Sequence, residues 1–205
     1  MVKKTFLTLL ILGVIIVAIL NHRVPFFKHT GGPWSIGFGF SGEYPKEISF
    51  HQNKIYSFEE LKSQIDSTQF IADPFFIKEK DTFYLFFEHK KVKNFNAVIG
   101  LLTSVDGHHY QYRGTVLKEN FHLSYPQVFK YKNSYYMLPE SQGANHVLLY
   151  KTEKFPFSWK ICDTLIKNIR MKDPTIYLSD TLNIIVGSDK NFKMHMYQAN
   201  NLNGN

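Results

Sequence analysis

The chain has a single cysteine in 205 residues, Cys162, so it can form no internal disulfide and no multi-cysteine zinc or iron–sulfur site. Cys162 lies in WKICDTLI without an adjacent base, which argues against a nucleophilic thiol. Asn-x-Ser/Thr triplets are absent, excluding N-glycosylation. A concentrated basic stripe is also missing. The net charge is +7, but the first 23 residues hold Lys3, Lys4 and Arg23 and no acid, and the densest later cluster is Lys90, Lys91 and Lys93. That footprint argues against nucleic acid as a partner. The nine histidines show no metal-binding spacing, and His108–His109 follow the turn residues Asp106–Gly107. No metal or other cofactor is expected. What the chain does have is apolar mass: 44% hydrophobic residues, with 19 Phe and 12 Tyr, enough to build a core.

The apolar run FLTLLILGVIIVAIL covers Phe6–Leu20. It reads as a transmembrane helix within an N-terminal anchor, residues 1–23, contacting the membrane through residues 5–22. Those 15 residues rise roughly 23 Å at about 1.5 Å each, so Thr5, Asn21 and His22 must extend the span. The alternative is a cleaved signal peptide, but no small-x-small site follows Leu20. Lys3, Lys4 and the amino terminus precede the run, which predicts a single-pass protein with a cytoplasmic N-terminus and residues 24–205 extracytoplasmic. Residues 24–33 read as a linker ending in Gly31, Gly32 and Pro33, and residues 34–205 as the folded domain. One helix is signalled at SFEELKSQID, with Ser57 as cap and Glu60 as its capping-box partner.

A repeat organises the rest. ADPFFIKEKDTFYLFFE (Ala72–Glu88), SYPQVFKYKNSYYMLPE (Ser124–Glu140) and KDPTIYLSDTLNIIVGS (Lys172–Ser188) align without a gap. Their prolines, Pro74, Pro126 and Pro174, lie 52 and 48 residues apart. Each unit reads as a strand, a polar turn and a second strand. A third strand follows in VIGLLTSVDG, HVLLYKTEKF and KMHMYQANNL, and a fourth around Tyr110–Leu117 and Trp159–Ile166. Four antiparallel strands at this period predict an all-β propeller, with a β-sandwich of coincident spacing as the alternative. About three blades are present, whereas propellers close with about 4–8, so the propeller is expected to be incomplete. WSIGFGFSG can contribute further strands.

The strings WSIGFGFSGEYP, IADPFFIKEKDTFYLFFE, FHLSYPQVFKYKNSYYMLPES and KDPTIY resemble the N-terminal domain of plant glucosamine inositolphosphorylceramide transferases and bacterial relatives. That domain is similar to the five-bladed propellers of family-43 glycoside hydrolases. The resemblance implies a five-bladed-type propeller and a carbohydrate or glycolipid partner. In the plant enzymes glycosyl transfer belongs to a separate C-terminal domain, so a separate glycosyltransferase is a candidate partner. In the family-43 hydrolases the first Asp-Pro acid is the general base, which Asp73 matches. A second-blade Asp and a third-blade Glu acid are replaced here by Tyr125 and Asp173.

The first strand of a propeller blade lines the central channel, so repeated positions converge. Asp73, Tyr125 and Asp173 precede the repeated prolines, and Glu88, Glu140 and Ser188 end the second strands. Glycoside hydrolysis needs two carboxyls across one bond, about 6.5–9.5 Å apart for inversion, and Asp73 with Glu140 or Asp173 supplies such a pair. An Asp before Pro is also a plain turn residue, and Glu88 and Glu140 can be solvated or lysine-paired. Tyr125 and His122, in FHLSYP, are candidates for a sugar-facing surface together with Glu88. The expected role is glycan-binding or accessory, in glycan or glycolipid assembly. A glycosidase with Asp73 as general base is the alternative, and a truncated non-functional copy is a third. Whether the chain is an enzyme stays open.

Overall fold

Alternate residues of a strand point to opposite faces of its sheet, and here both faces are apolar along several strands. The computed structural model describes residues 2–23, 34–37, 55–56, 63–65 and 67–202. The chain divides into two units, Met1–Gly32 and Pro33–Asn205. The linker 24–33, most of WSIGFGFSG and, but for a turn at 63–65, the helix expected over SFEELKSQID lie outside the described residues.

The first unit carries helix α1, Val2–Arg23. It corrects the membrane-span expectation: among the described residues, no helix is long and apolar enough to cross a membrane. The apolar run Phe6–Leu20 of α1 covers about 23 Å at the helical rise, short of a hydrocarbon core of about 30 Å. The single-pass placement, with the N-terminus cytoplasmic and residues 24–205 extracytoplasmic, falls with it.

The second unit is built of antiparallel sheets. β1 (Ile36–Gly37) pairs with β2 (Ile55–Tyr56). β3 (Thr68–Glu79), β4 (Thr82–Lys91), β5 (Val98–Ser104) and β6 (Gln111–Leu117) form a four-stranded meander. β7 (Ser124–Tyr131), β8 (Ser134–Glu140), β9 (His146–Lys154) and β10 (Phe157–Lys167) form a second. β11 (Lys172–Leu178), β12 (Asn183–Ser188) and β13 (Met194–Ala199) form a three-stranded third. The repeat therefore folds as two complete meanders and one of three strands. Among the described residues no sheet closes on itself.

Three hydrophobic layers alternate with these sheets. On β4, Leu85 and Phe87 join Ile36, Ile65 and Ile71 on one side, while Phe86 turns to the other. There Phe86 meets Met137, Leu148, Tyr150 and Trp159 of the second sheet. On β9, Leu148 and Tyr150 face that layer, and Val147 and Leu149 face a third layer with Met171, Ile176 and Ile185. Every residue of β5 is buried, because its sheet is covered on both faces, whereas β6 alternates between exposed and covered positions. Gly100 is required by close approach: a Cβ there would meet the Phe87 ring at 2.6 Å.

Polar ties join the stacked sheets at their first strands. The Gln127 side chain clamps the peptide of Ile176, its Oε1 accepting from Ile176 N at 2.7 Å and its Nε2 donating to Ile176 O at 3.0 Å. The Tyr125 hydroxyl lies 3.1 Å from Thr175 Oγ1, and Lys130 pairs with Glu79 at 3.1 Å. Removing the Gln127 clamp leaves buried peptide groups unpaired, which costs about 1–3 kcal/mol. Gln127→Ala is therefore expected to lower the thermal midpoint clearly. Lys130→Ala, which removes an exposed ion pair and a surface contact with the Tyr135 ring, should lower it less than Gln127→Ala does.

Candidate functional site

The residue before each repeated proline has a left-handed backbone: φ is 50° at Asp73, 47° at Tyr125 and 49° at Asp173. Each sits where the pairing of the first two strands slips: between Ala72 and Phe75, Ser124 and Gln127, and Lys172 and Thr175. A bulge turns the peptide of the extra residue out of its own ladder. For a non-glycine residue such a conformation costs of order 1–3 kcal/mol and persists only where the surroundings hold it.

What holds it is a carboxylate from the preceding sheet. Tyr125 N donates to Asp73 Oδ2 at 3.1 Å, and Asp173 N donates to Glu140 Oε2 at 3.0 Å. The same bulge thus hands its N–H to the neighbouring sheet twice. The ring of Tyr125 packs edge-on against Phe75, centroids 4.8 Å apart, so this residue touches all three sheets.

The acids of the repeat converge. Burial first, and then the Glu88 carboxylate, push the Asp73 carboxyl up from its ordinary 3.8 to about 6; the Tyr125 N–H opposes the rise and Asp173 adds to it. Burial likewise pushes Glu140 up, opposed by Asp173 N–H and reinforced by the Asp173 carboxylate. Glu88 and Glu140 are each 6% exposed, so neither is the solvated carboxylate that a strand end suggests. His122 Nδ1 accepts from Ala97 N at 3.3 Å, which leaves Nε2 to carry the proton facing Glu88 Oε1 at 3.1 Å. Asp73 and Glu88 also line a cavity of about 240 Å³ with Trp34, Ser35, Phe70 and Ala72.

All six candidate residues therefore belong to one linked cluster: His122–Glu88–Asp73–Tyr125 on one side and Asp173–Glu140 on the other. Ser188 breaks the series, standing where Glu88 and Glu140 stand in the first two repeats. Three participants have no signal in the repeat. Gln142 donates from Nε2 to Glu140 Oε1 at 2.6 Å from the 3₁₀ turn Gln142–Ala144. Thr175 meets the Tyr125 hydroxyl, and Trp34 lines the cavity beside Asp73. Only Gln142, two residues beyond Glu140 in ESQG, was within reach of a sequence argument. Among the described residues no group of three or more His, Cys, Asp or Glu side chains is arranged to hold a metal ion.

Comparison with known proteins gives these features a context. A family model described as glucosamine inositolphosphorylceramide transferase 1, N-terminal, matches residues 52–203. The protein of that name from Oryza sativa subsp. indica is 43% identical over 100 residues, which are 48% of this chain and 13% of that protein. The Arabidopsis thaliana protein is 38% identical over 123 residues, 60% of this chain and 16% of that one. The chain thus spans a small part of these curated relatives. Among solved structures, the exo-β-1,3-galactanase of Phanerochaete chrysosporium superposes with a TM-score of 0.57 at 13% identity, covering 68% of this chain and 35% of the other. The GH32 β-fructofuranosidase of Bombyx mori gives 0.55 at 15%, covering 66% and 35%. These likenesses show a fold of the propeller-like glycoside hydrolase type. With three quarters of its length matched and the repeated bulges inside that region, the chain belongs to the glucosamine inositolphosphorylceramide transferase 1 N-terminal family.

Proposed function

We propose that residues 34–205 are part of a five-bladed-type propeller that binds carbohydrate at the end carrying the linked acids, in a glycan-binding or accessory role in glycan or glycolipid assembly. One observation carries this reading: five repeated positions and His122 join into a single hydrogen-bonded and electrostatic cluster at one end of three successive sheets. Carboxylates that accept and a histidine N–H that donates are the groups a polyhydroxyl ligand needs. His122 is 38% exposed at its side chain and can turn its ring to a sugar, while Glu88, held by it, accepts from hydroxyls. Tyr125 contributes less stacking surface than its sequence suggests, because Phe75 and Thr175 engage both its edge and its hydroxyl. The relatives' name joins glucosamine to inositolphosphorylceramide, and a sugar-bearing headgroup is the ligand class extended to this chain. A separate glycosyltransferase would supply any transfer chemistry.

A second reading, a glycosidase, is favoured by two buried acids, Asp73 and Glu140, that burial holds above their ordinary carboxyl range. A carboxyl at about 6 is mostly ionised at neutral pH, which suits Asp73 as general base. Glu140, buried and pushed up, would hold the acid's proton.

Titration of the full chain with glucosamine and short oligosaccharides, followed by NMR, separates these readings. For a binding module, His122→Ala weakens affinity about tenfold, roughly 1.4 kcal/mol, while Asp73→Asn stays within about twofold. Release of sugar from aryl glycosides, abolished in Asp73→Asn, would instead establish hydrolysis. Binding of no saccharide and no turnover would sink both.

The acid cluster also predicts a pH dependence. Asp73 ionises near 3.8 when unfolded and near 6 when folded, so between these values the folded state holds more protons. Its contribution to stability therefore falls as pH rises from about 4 to 6. Asp73→Asn keeps an acceptor for Tyr125 N–H and removes the titration. Melting curves of the variant and wild type should converge near pH 4, with the variant gaining relative to wild type toward pH 7. A wild-type advantage that grows toward pH 7 would contradict the raised carboxyl.

A further inference from the structure

A second concavity lies at the other end of the first two meanders. Its walls come from the β3–β4 turn at Thr82, the end of β5, the start of β6 and the β9–β10 turn at Pro156 and Phe157. Its volume is about 700 Å³, within the range of small-molecule pockets. From Thr82 to Glu88 along β4 is roughly 20 Å at about 3.3 Å per residue, so this groove is remote from the acid cluster.

Its chemistry differs from that of the cluster. The one guanidinium in the wall, Arg113, donates from Nε to Thr103 Oγ1 at 2.7 Å, which fixes the plane of the fork. Among the described residues Arg113 has no carboxylate partner. An oriented guanidinium matches phosphate or carboxylate oxygens two at a time. Aromatic rings stand around it: Tyr84, Tyr110 and Phe157 line the same groove. Phe157 is 41% exposed, yet its turn is fixed. The Thr152 hydroxyl donates to the Phe157 carbonyl, and the Trp159 indole donates to Pro156 O at 2.7 Å. Tyr84 is held edge-on to Phe155 at 4.8 Å. An exposed ring on a pinned turn is a surface ordered before any ligand arrives.

One acid beside the groove, Asp106, has its charge engaged by its own loop. Asp106 follows the groove residues Ser104 and Val105, and its carboxylate accepts from Ser104 Oγ, His108 N, His109 N and His109 Nδ1 at 2.7–2.9 Å. Those donors turn its charge into the loop.

We propose that this groove is a second ligand site, which takes a sugar carrying an anionic group, with the ring on Phe157 and the anion on Arg113. The anion is a phosphate or a carboxylate; both meet the guanidinium in the same way.

The test titrates glucose 6-phosphate, glucuronate, glucose and inorganic phosphate into the full chain and follows backbone amide shifts. At least one anionic sugar is expected to bind ten times or more tighter than glucose and than inorganic phosphate, shifting Gln111 and Phe157 rather than Tyr125. The two anionic sugars tell phosphate from carboxylate. Arg113→Gln should abolish the preference for the anion, and Phe157→Ala should weaken both sugars while leaving inorganic phosphate unchanged. Both side chains are solvent-facing, so the variants should keep the wild-type melting point. His122→Ala, which weakens binding at the remote cluster about tenfold, should bind the anionic sugar at this groove as wild type does, which separates this site from the one proposed above. Absence of binding by either anionic sugar, equal binding of glucose or of inorganic phosphate, or an unchanged preference in Arg113→Gln would overturn the proposal.

Discussion

The architecture of the β unit depends on a peptide N–H that leaves its own sheet. At the second and third repeats the bulged residue before the proline donates across to a carboxylate of the sheet before it, Tyr125 to Asp73 and Asp173 to Glu140. An unpaired buried N–H is expensive, and so is a buried carboxylate. Each removes the other's penalty. The strained backbone, the acid and the spacing between sheets are therefore fixed together. A change in any one of them is felt by the other two.

Around that exchange, the remaining contacts have divided tasks. Three apolar layers separate successive sheets and supply cohesion without direction. Gln127 on the Ile176 peptide and Tyr125 on Thr175 supply direction, setting which residue of one first strand faces which residue of the next. Because these ties sit on the first strands, the acids at the strand ends are brought close by the same geometry that stacks the sheets. Their raised affinity for protons is then a result of packing, since burial is the leading cause for both Asp73 and Glu140.

The meanders were legible because proline and polar turns punctuate the sequence at fixed offsets, and a 2-residue period survives in the strands between them. Boundaries moved by a few residues only: the strand expected at Tyr110–Leu117 runs Gln111–Leu117, and the one at Trp159–Ile166 runs Phe157–Lys167. Five members of the cluster stand out in the sequence for the same reason, as positions of a repeat, and His122 by its place beside Tyr125 in FHLSYP. Gln127, Thr175 and Trp34 were not, because their parts are fixed by the distance between two sheets, which no local pattern encodes. Nor was the left-handed backbone at Asp73, Tyr125 and Asp173, since a residue before proline ordinarily prefers an extended conformation. At the amino end the error ran the other way. Apolar composition over Phe6–Leu20 suggested a span that the helix is too short in apolar length to make.

The exchange between sheets draws on the main chain of its donor, and every amino acid but proline brings that N–H. The side chain at the same position is thereby released from that particular contact, although at Asp73 it serves as the acceptor of the next one. Duplicated units can accordingly drift there, one copy keeping Asp and another taking Tyr, without losing the way they stack. The acceptor must be a carboxylate side chain, and it comes from the pre-proline position in one contact, Asp73, and from the end of a second strand in the other, Glu140. The two halves of the contact are thus encoded differently, the donor by the backbone of one repeated position and the acceptor by carboxylates from two.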